Sequence, residues 1–156
     1  MRRRTFLQGI AASTAWPIAA RADKTRLIGV LISYAESDRA AQSEVAAFRG
    51  GLAKLGWTEG SNLRIELGWG AADPDKIKAL AKELVDLRPD AILSQSTPVT
   101  GALARETRTI PIVFVGVSDP IASGFAANLA HPGGNITGFS ANDPALGGKF
   151  VELVGR

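Results

Sequence analysis

The run LIGVLIS, Leu27–Ser33, is apolar at nearly every position and does not alternate. A strand with one wet face would read apolar-polar-apolar. An unbroken run of this length reads instead as a strand of a parallel sheet, buried on both faces. Such a sheet needs helices on its two sides, and parallel strands need a crossover between them. The constraint therefore extends to the whole chain, which must alternate strand and helix.

It does so. Ala41, Val45, Phe48, Leu52 and Leu55 recur at intervals of 4, 3, 4 and 3, one face of a helix, and Gly56 stands where a helix ends. NLRIELGWG, from Asn62, alternates with Leu63, Ile65 and Leu67 on one side and reads as a second strand. Asp73-Pro74 then combines an N-cap residue with the imino acid that suits the first helical position. Ile77, Leu80, Leu84 and Leu87 supply the apolar stripe of that helix. DAILSQS is a third strand, TPVTGALARETR a third helix with Thr97 as its cap, and IPIVFVGV a fourth strand. Asp119-Pro120 opens a short fourth helix, HPGGN is a turn, and NITGFS a fifth strand. From Asn142 the pattern turns helical again, with Leu146, Phe150, Val151, Leu153 and Val154 as its apolar face. The expected fold is α/β: an open parallel sheet with helices on both faces.

Open parallel sheets hold ligands outside the carboxyl ends of their strands, where helix N-termini offer free N–H groups and a positive dipole end. Three strand ends here carry hydroxyls and small residues: Ser33 and Tyr34, Ser94–Thr97, and Gly116–Asp119. They are candidate ligand contacts. Capping alone explains Thr97 and Asp119 equally well, and Ser96 fits as a loop residue. No Gly-rich phosphate cradle follows the first strand, so a nucleotide cofactor is not expected. The chain has no cysteine and one histidine, His131, which has no partner at metal-ligand spacing and reads as a turn residue. Neither a metal centre nor a cysteine or Ser-His-Asp nucleophile is indicated, and no cofactor is expected.

The formal charge of +3 does not point to nucleic acid. Residues 1–22 hold Arg2, Arg3, Arg4 and Arg21 and no acid; setting these four aside leaves 14 of the 18 basic residues against 15 acidic ones, a net of −1. The basic start, the apolar stretch from Phe6 to Trp16 and the small residues Ala20 and Ala22 read as a cleavable export signal. Arg3, Arg4, Phe6 and Leu7 resemble the twin-arginine signal, in which two arginines precede x-Phe-Leu. The expected location is the periplasm, soluble after cleavage, with the export machinery as a partner.

Several segments together resemble the ABC transporter substrate-binding protein family, whose fold is the type I periplasmic binding protein. They are LGWTEGSN at Leu55–Asn62, the Thr-Pro of STPVTGAL, IPIVFV, DPIASG, and LAHPGGNITG. The likeness runs from Arg26 to Val154. It implies two α/β lobes clamping a small ligand, an amino acid in known cases and sometimes an aromatic one, for delivery to a membrane permease. By position, Ser33, Tyr34, Thr97, Ser118 and Asp119 would meet the ligand, and Ser96 stands where glycine or another small residue is common. Gly138, Phe139 and Ser140 would form the first crossing between lobes. The family is about twice this length, so residues 23–139 are expected to be its first lobe and residues 140–156 the crossing and first helix of a second lobe that is missing. The expected function is binding without catalysis. Two rivals stand beside it: a ligand-sensing module for a signalling receptor, and a flavodoxin-like or hydrolase-type enzyme using Asp119 or Ser33.

Overall fold

A computed structural model describes residues 25–127 and 133–140. The export signal, His131 and the helical pattern beyond Asn142 lie outside the described residues. The elements are β1 (Arg26–Ile32), α1 (Arg39–Lys54), β2 (Leu63–Trp69), α2 (Pro74–Asp86), β3 (Ala91–Gln95), α3 (Thr97–Glu106), β4 (Ile112–Val117) and β5 (Ile136–Ser140). All five strands are parallel, in the order β2-β1-β3-β4-β5.

The continuous apolar run of β1 takes a central position, with Val30, Leu31 and Ile32 all buried. Its odd and even residues face opposite layers. Val30 and Ile32 meet Ala41 and Val45 of α1 and Leu63 and Ile65 of β2. Leu31 joins Ile77, Ala81 and Leu84 of α2, Val99, Ala102 and Leu103 of α3, and Ile92, Ile112 and Phe114 of the neighbouring strands. The helices therefore lie on both faces, as a right-handed crossover requires when β1 leads to one side for β2 and the chain returns to the other for β3.

Local chemistry sets the helix ends. Asp38 Oδ1 accepts the N–H of Ala41, and Asp73 Oδ1 accepts those of Asp75 and Lys76, so each carboxylate satisfies donors of its first helical turn. Gly56, at φ +86°, takes the left-handed conformation that closes α1. Trp57 then donates its backbone N–H to Leu52 O and packs against the α1 core.

Three expectations need correction. Leu55 and Leu87, expected on apolar helix faces, are 77% and 47% exposed; each is the C-cap of its helix, beyond the last helical residue at the end of the stripe. The cap of α3 is Ser96, one residue before Thr97, and its side chain makes no capping bond. Asp119-Pro120 opens a turn instead of a fourth helix. Within residues 119–126, Ser123 N–H reaches Asp119 O while Phe125 and Ala126 reach Pro120 O, and Ala126 is buried with Phe125 packed against the same core. Gly138, Phe139 and Ser140 are the last residues of β5, paired with Phe114, Val115 and Val117 of β4.

Gly138 is required by close approach. A Cβ there would stand 2.1 Å from Phe114 O and 2.6 Å from Phe114 N, atoms of the ladder that cannot withdraw without breaking it. Gly138→Ala is expected to lower unfolding stability by about 3 kcal/mol, read as a fall in the midpoint of urea denaturation with an unchanged slope.

Candidate functional site

The carboxyl ends of β1 and β3 are adjacent, but the chain leaves them for opposite faces: α1 follows β1 on one side and α3 follows β3 on the other. This divergence opens the crevice that parallel sheets use for ligands. Ser33, the first residue beyond β1, and Ser96, the first beyond β3, both line a cavity of about 380 Å³ between the starts of α2 and α3, together with Ala72, Pro74 and Pro98.

Ser33 does not stand alone. Its backbone N–H and its hydroxyl both donate to Gln95 Oε1, at 3.3 and 2.7 Å. Gln95 is the last residue of β3 and is in register with Ile32 of β1. The side chain thus ties two strand ends together. Its partner role was not evident from the sequence, where Gln95 reads only as one polar residue among several. The signal was in the period of β3: Ile92 and Ser94 face the α2–α3 core, so Leu93 and Gln95 must face the other way, toward β1's α1 side.

Ser96 is held in an unusual conformation, φ +90° and ψ 159°. A non-glycine residue here costs of order 1–3 kcal/mol, and such cost concentrates at ligand sites. The surroundings enforce it. Ser96 N–H donates to Val115 O, and Ser96 O accepts both the N–H of Thr100 and the hydroxyl of Thr100. Thr100 in turn shares a 2.8 Å hydrogen bond with Ser94 inside the core. The backbone is therefore clamped from β4 and from α3, and the Ser96 hydroxyl is left buried with no partner. Buried hydroxyls are seldom left unpaired, so this one marks a place where a bonding partner is expected.

Thr97 is the first residue of α3, and its surroundings differ. It opens onto a separate space of about 480 Å³ with Gly101, Arg105, Arg108 and Phe125. Tyr34, next to Ser33, is 45% exposed, with its carbonyl accepting Ala71 N–H. Ser118 is exposed, and its carbonyl accepts a long 3.4 Å contact from the Ser140 hydroxyl. Asp119 Oδ1 accepts the N–H groups of Ile121 and Ala122, so this carboxylate serves the turn it opens. The structure brings Ser33 and Ser96 to one cavity and Thr97 to another, and Tyr34, Ser118 and Asp119 line neither.

An apolar groove of about 430 Å³ lies beside α1, lined by Val30, Val45, Phe48, Leu93 and Val115; it reaches the strand ends at Ile32, Gln95 and Gly116. Among the described residues no group of three or more His, Cys, Asp or Glu side chains could hold a metal ion, and no helix is long and apolar enough to cross a membrane.

The sequence matches the family described as ABC transporter substrate binding protein over residues 29–156. It is 31% identical over 133 residues to a tyrosine-binding protein of Clostridioides difficile, a match covering 84% of this chain and 37% of that protein. The fold is similar to that of a conserved domain protein from Vibrio cholerae, with TM-score 0.74 and 31% identity over 84% of this chain and 43% of the other. It is also similar to an ABC domain from Streptococcus pneumonia in complex with L-Trp, with TM-score 0.72 and 27% identity, covering 83% and 43% of the two chains. The chain thus spans about four-tenths of the length of these relatives. With the parallel sheet, its two helical layers and the family match over most of its length, the chain belongs to the ABC transporter substrate-binding protein family.

Proposed function

We propose that this chain supplies one ligand-binding face of an exported solute receptor, which captures a small amino acid, aromatic in its side chain, for an ABC-type permease. The observation that carries this reading is the crevice between β1 and β3. There the strained Ser96 presents an unpaired buried hydroxyl beside Ser33, at the start of α3. The names of two relatives, a tyrosine-binding protein and a domain in complex with L-Trp, support the ligand class.

The chemistry suits such a ligand. The first N–H groups of α3 have no partner within the helix and carry the positive end of its dipole, which favours a carboxylate near Thr97. Hydroxyls of Ser33 and Ser96 add neutral polar contacts, and Tyr34, next to Ser33, offers a flat apolar face for an aromatic side chain. One crevice leaves much of a ligand exposed. Tight capture needs a second face that closes over it and excludes water, in the manner of hinged binding proteins. In this reading residues 23–139 form the first lobe, and residues 140–156 lead from it toward the second. The assigned role is binding, closure and docking to the permease, with no bond made or broken.

Arg3, Arg4, Phe6 and Leu7 would direct the chain through the twin-arginine route, with cleavage after Ala22, to the periplasm. Replacing both Arg3 and Arg4 with lysine is expected to retain the precursor inside the cell, which fractionation and immunoblotting would reveal. Normal export of that variant would assign the signal to another route.

Isothermal titration of the full chain with L-tyrosine and L-tryptophan tests the ligand class. Thr97→Val keeps the shape and removes the hydroxyl. It is expected to weaken binding by about tenfold, the usual worth of one hydrogen bond to a charged group. An unchanged affinity would remove Thr97 from the site.

A further inference from the structure

The Gln95 amide can point only one way. The backbone N–H of Ser33 is purely a donor, and it faces Oε1 at 3.3 Å, so the oxygen and not the nitrogen is turned toward Ser33. A carboxamide oxygen has no proton to give. The Ser33 hydroxyl, 2.7 Å from the same oxygen, must therefore be the donor in that contact. The nitrogen end lies on the β4 side, where a Cβ on Gly116 would stand 3.8 Å from Nε2.

A serine hydroxyl has one proton and two acceptor sites. With the proton committed to Gln95, Ser33 has only lone pairs to offer the crevice. We infer that Gln95 is a positioning residue that turns Ser33 into an acceptor, so that the β1 corner of the crevice selects a ligand N–H, the ammonium of an amino acid. The inference rests on the reading of this crevice as an amino-acid site. It adds a direction: ammonium toward Ser33, carboxylate toward the start of α3. It also adds a criterion of choice, because a carboxylic acid lacking the amino group leaves the Ser33 lone pairs desolvated and unpaired.

The fit between crevice and ligand polarity is local. Ile32 and Gln95 are register partners in the ladder, so the reach from the Gln95 side chain to Ser33 is set by the sheet and not by a mobile loop. Ser33 is half-buried and lines the cavity it shares with Ser96.

The test compares two ligands that differ only in the ammonium group, L-tyrosine and 3-(4-hydroxyphenyl)propanoate, by calorimetry on the full chain. Ser33→Ala is expected to weaken L-tyrosine by about tenfold while moving the des-amino acid by less than about twofold. Gln95→Leu frees the hydroxyl to rotate and donate, and the ratio of the two affinities is expected to shrink several-fold. Gln95→Glu still accepts from both Ser33 donors and is expected to keep the wild-type ratio or widen it. Equal weakening of both ligands in Ser33→Ala and Gln95→Leu would show a merely structural tie and overturn the inference, while leaving the amino-acid reading of the crevice in place. If the wild-type chain binds neither compound nor L-tryptophan, that reading fails and the inference falls with it.

Discussion

Burial of β1 on both faces is the constraint from which the rest of this lobe follows. Leu31 and Val30 point to opposite layers, and both are fully enclosed, so the strand must have a neighbour on each edge and a helix on each side. The chain satisfies this by sending β2 to one edge and β3 to the other. Right-handed crossovers then place α1 and α2 on opposite faces. The divergence between β1 and β3 that results is also the crevice where Ser33 and Ser96 meet. The packing requirement and the ligand-type geometry have one cause.

The crevice is held by hydrogen bonds more than by apolar contact. Gln95 ties β1 to β3 through Ser33, while the Ser94–Thr100 pair and the Ser96 carbonyl fix the first turn of α3 to the end of its own strand. Bonds of this kind have defined directions, and a buried one is costly to leave unmade. They let the site hold polar groups in set orientations before any ligand arrives, which lowers the ordering cost of binding. The strain at Ser96 is borne by the same contacts.

Elements with a long apolar period were readable from the residues alone. All five strands and the first three helices fall where the runs and spacings put them, and Asp73 caps α2 as its neighbour Pro74 implies. The errors cluster at ends. Leu55 and Leu87 continue an apolar spacing past the last helical residue, and periodicity alone does not say where a helix stops. Asp119-Pro120 has the same residues as a helix start, yet the segment they open is a turn. Thr97 and Ser96 are equally good caps by composition; the ladder bond from Ser96 to Val115 decides between them.

Sequence alone determined the class of this fold, because two-faced burial of a strand leaves an open parallel sheet as the economical answer, and it located the polar strand ends because turn and hydroxyl residues stand out against apolar runs. Tertiary structure decided which of those residues meet. Gln95 reaches Ser33 across 62 positions of chain, and Ser96 is clamped by a carbonyl of β4. Each of these depends on strand order and register, and local sequence encodes neither: they arise only when separate runs compete for the same buried positions.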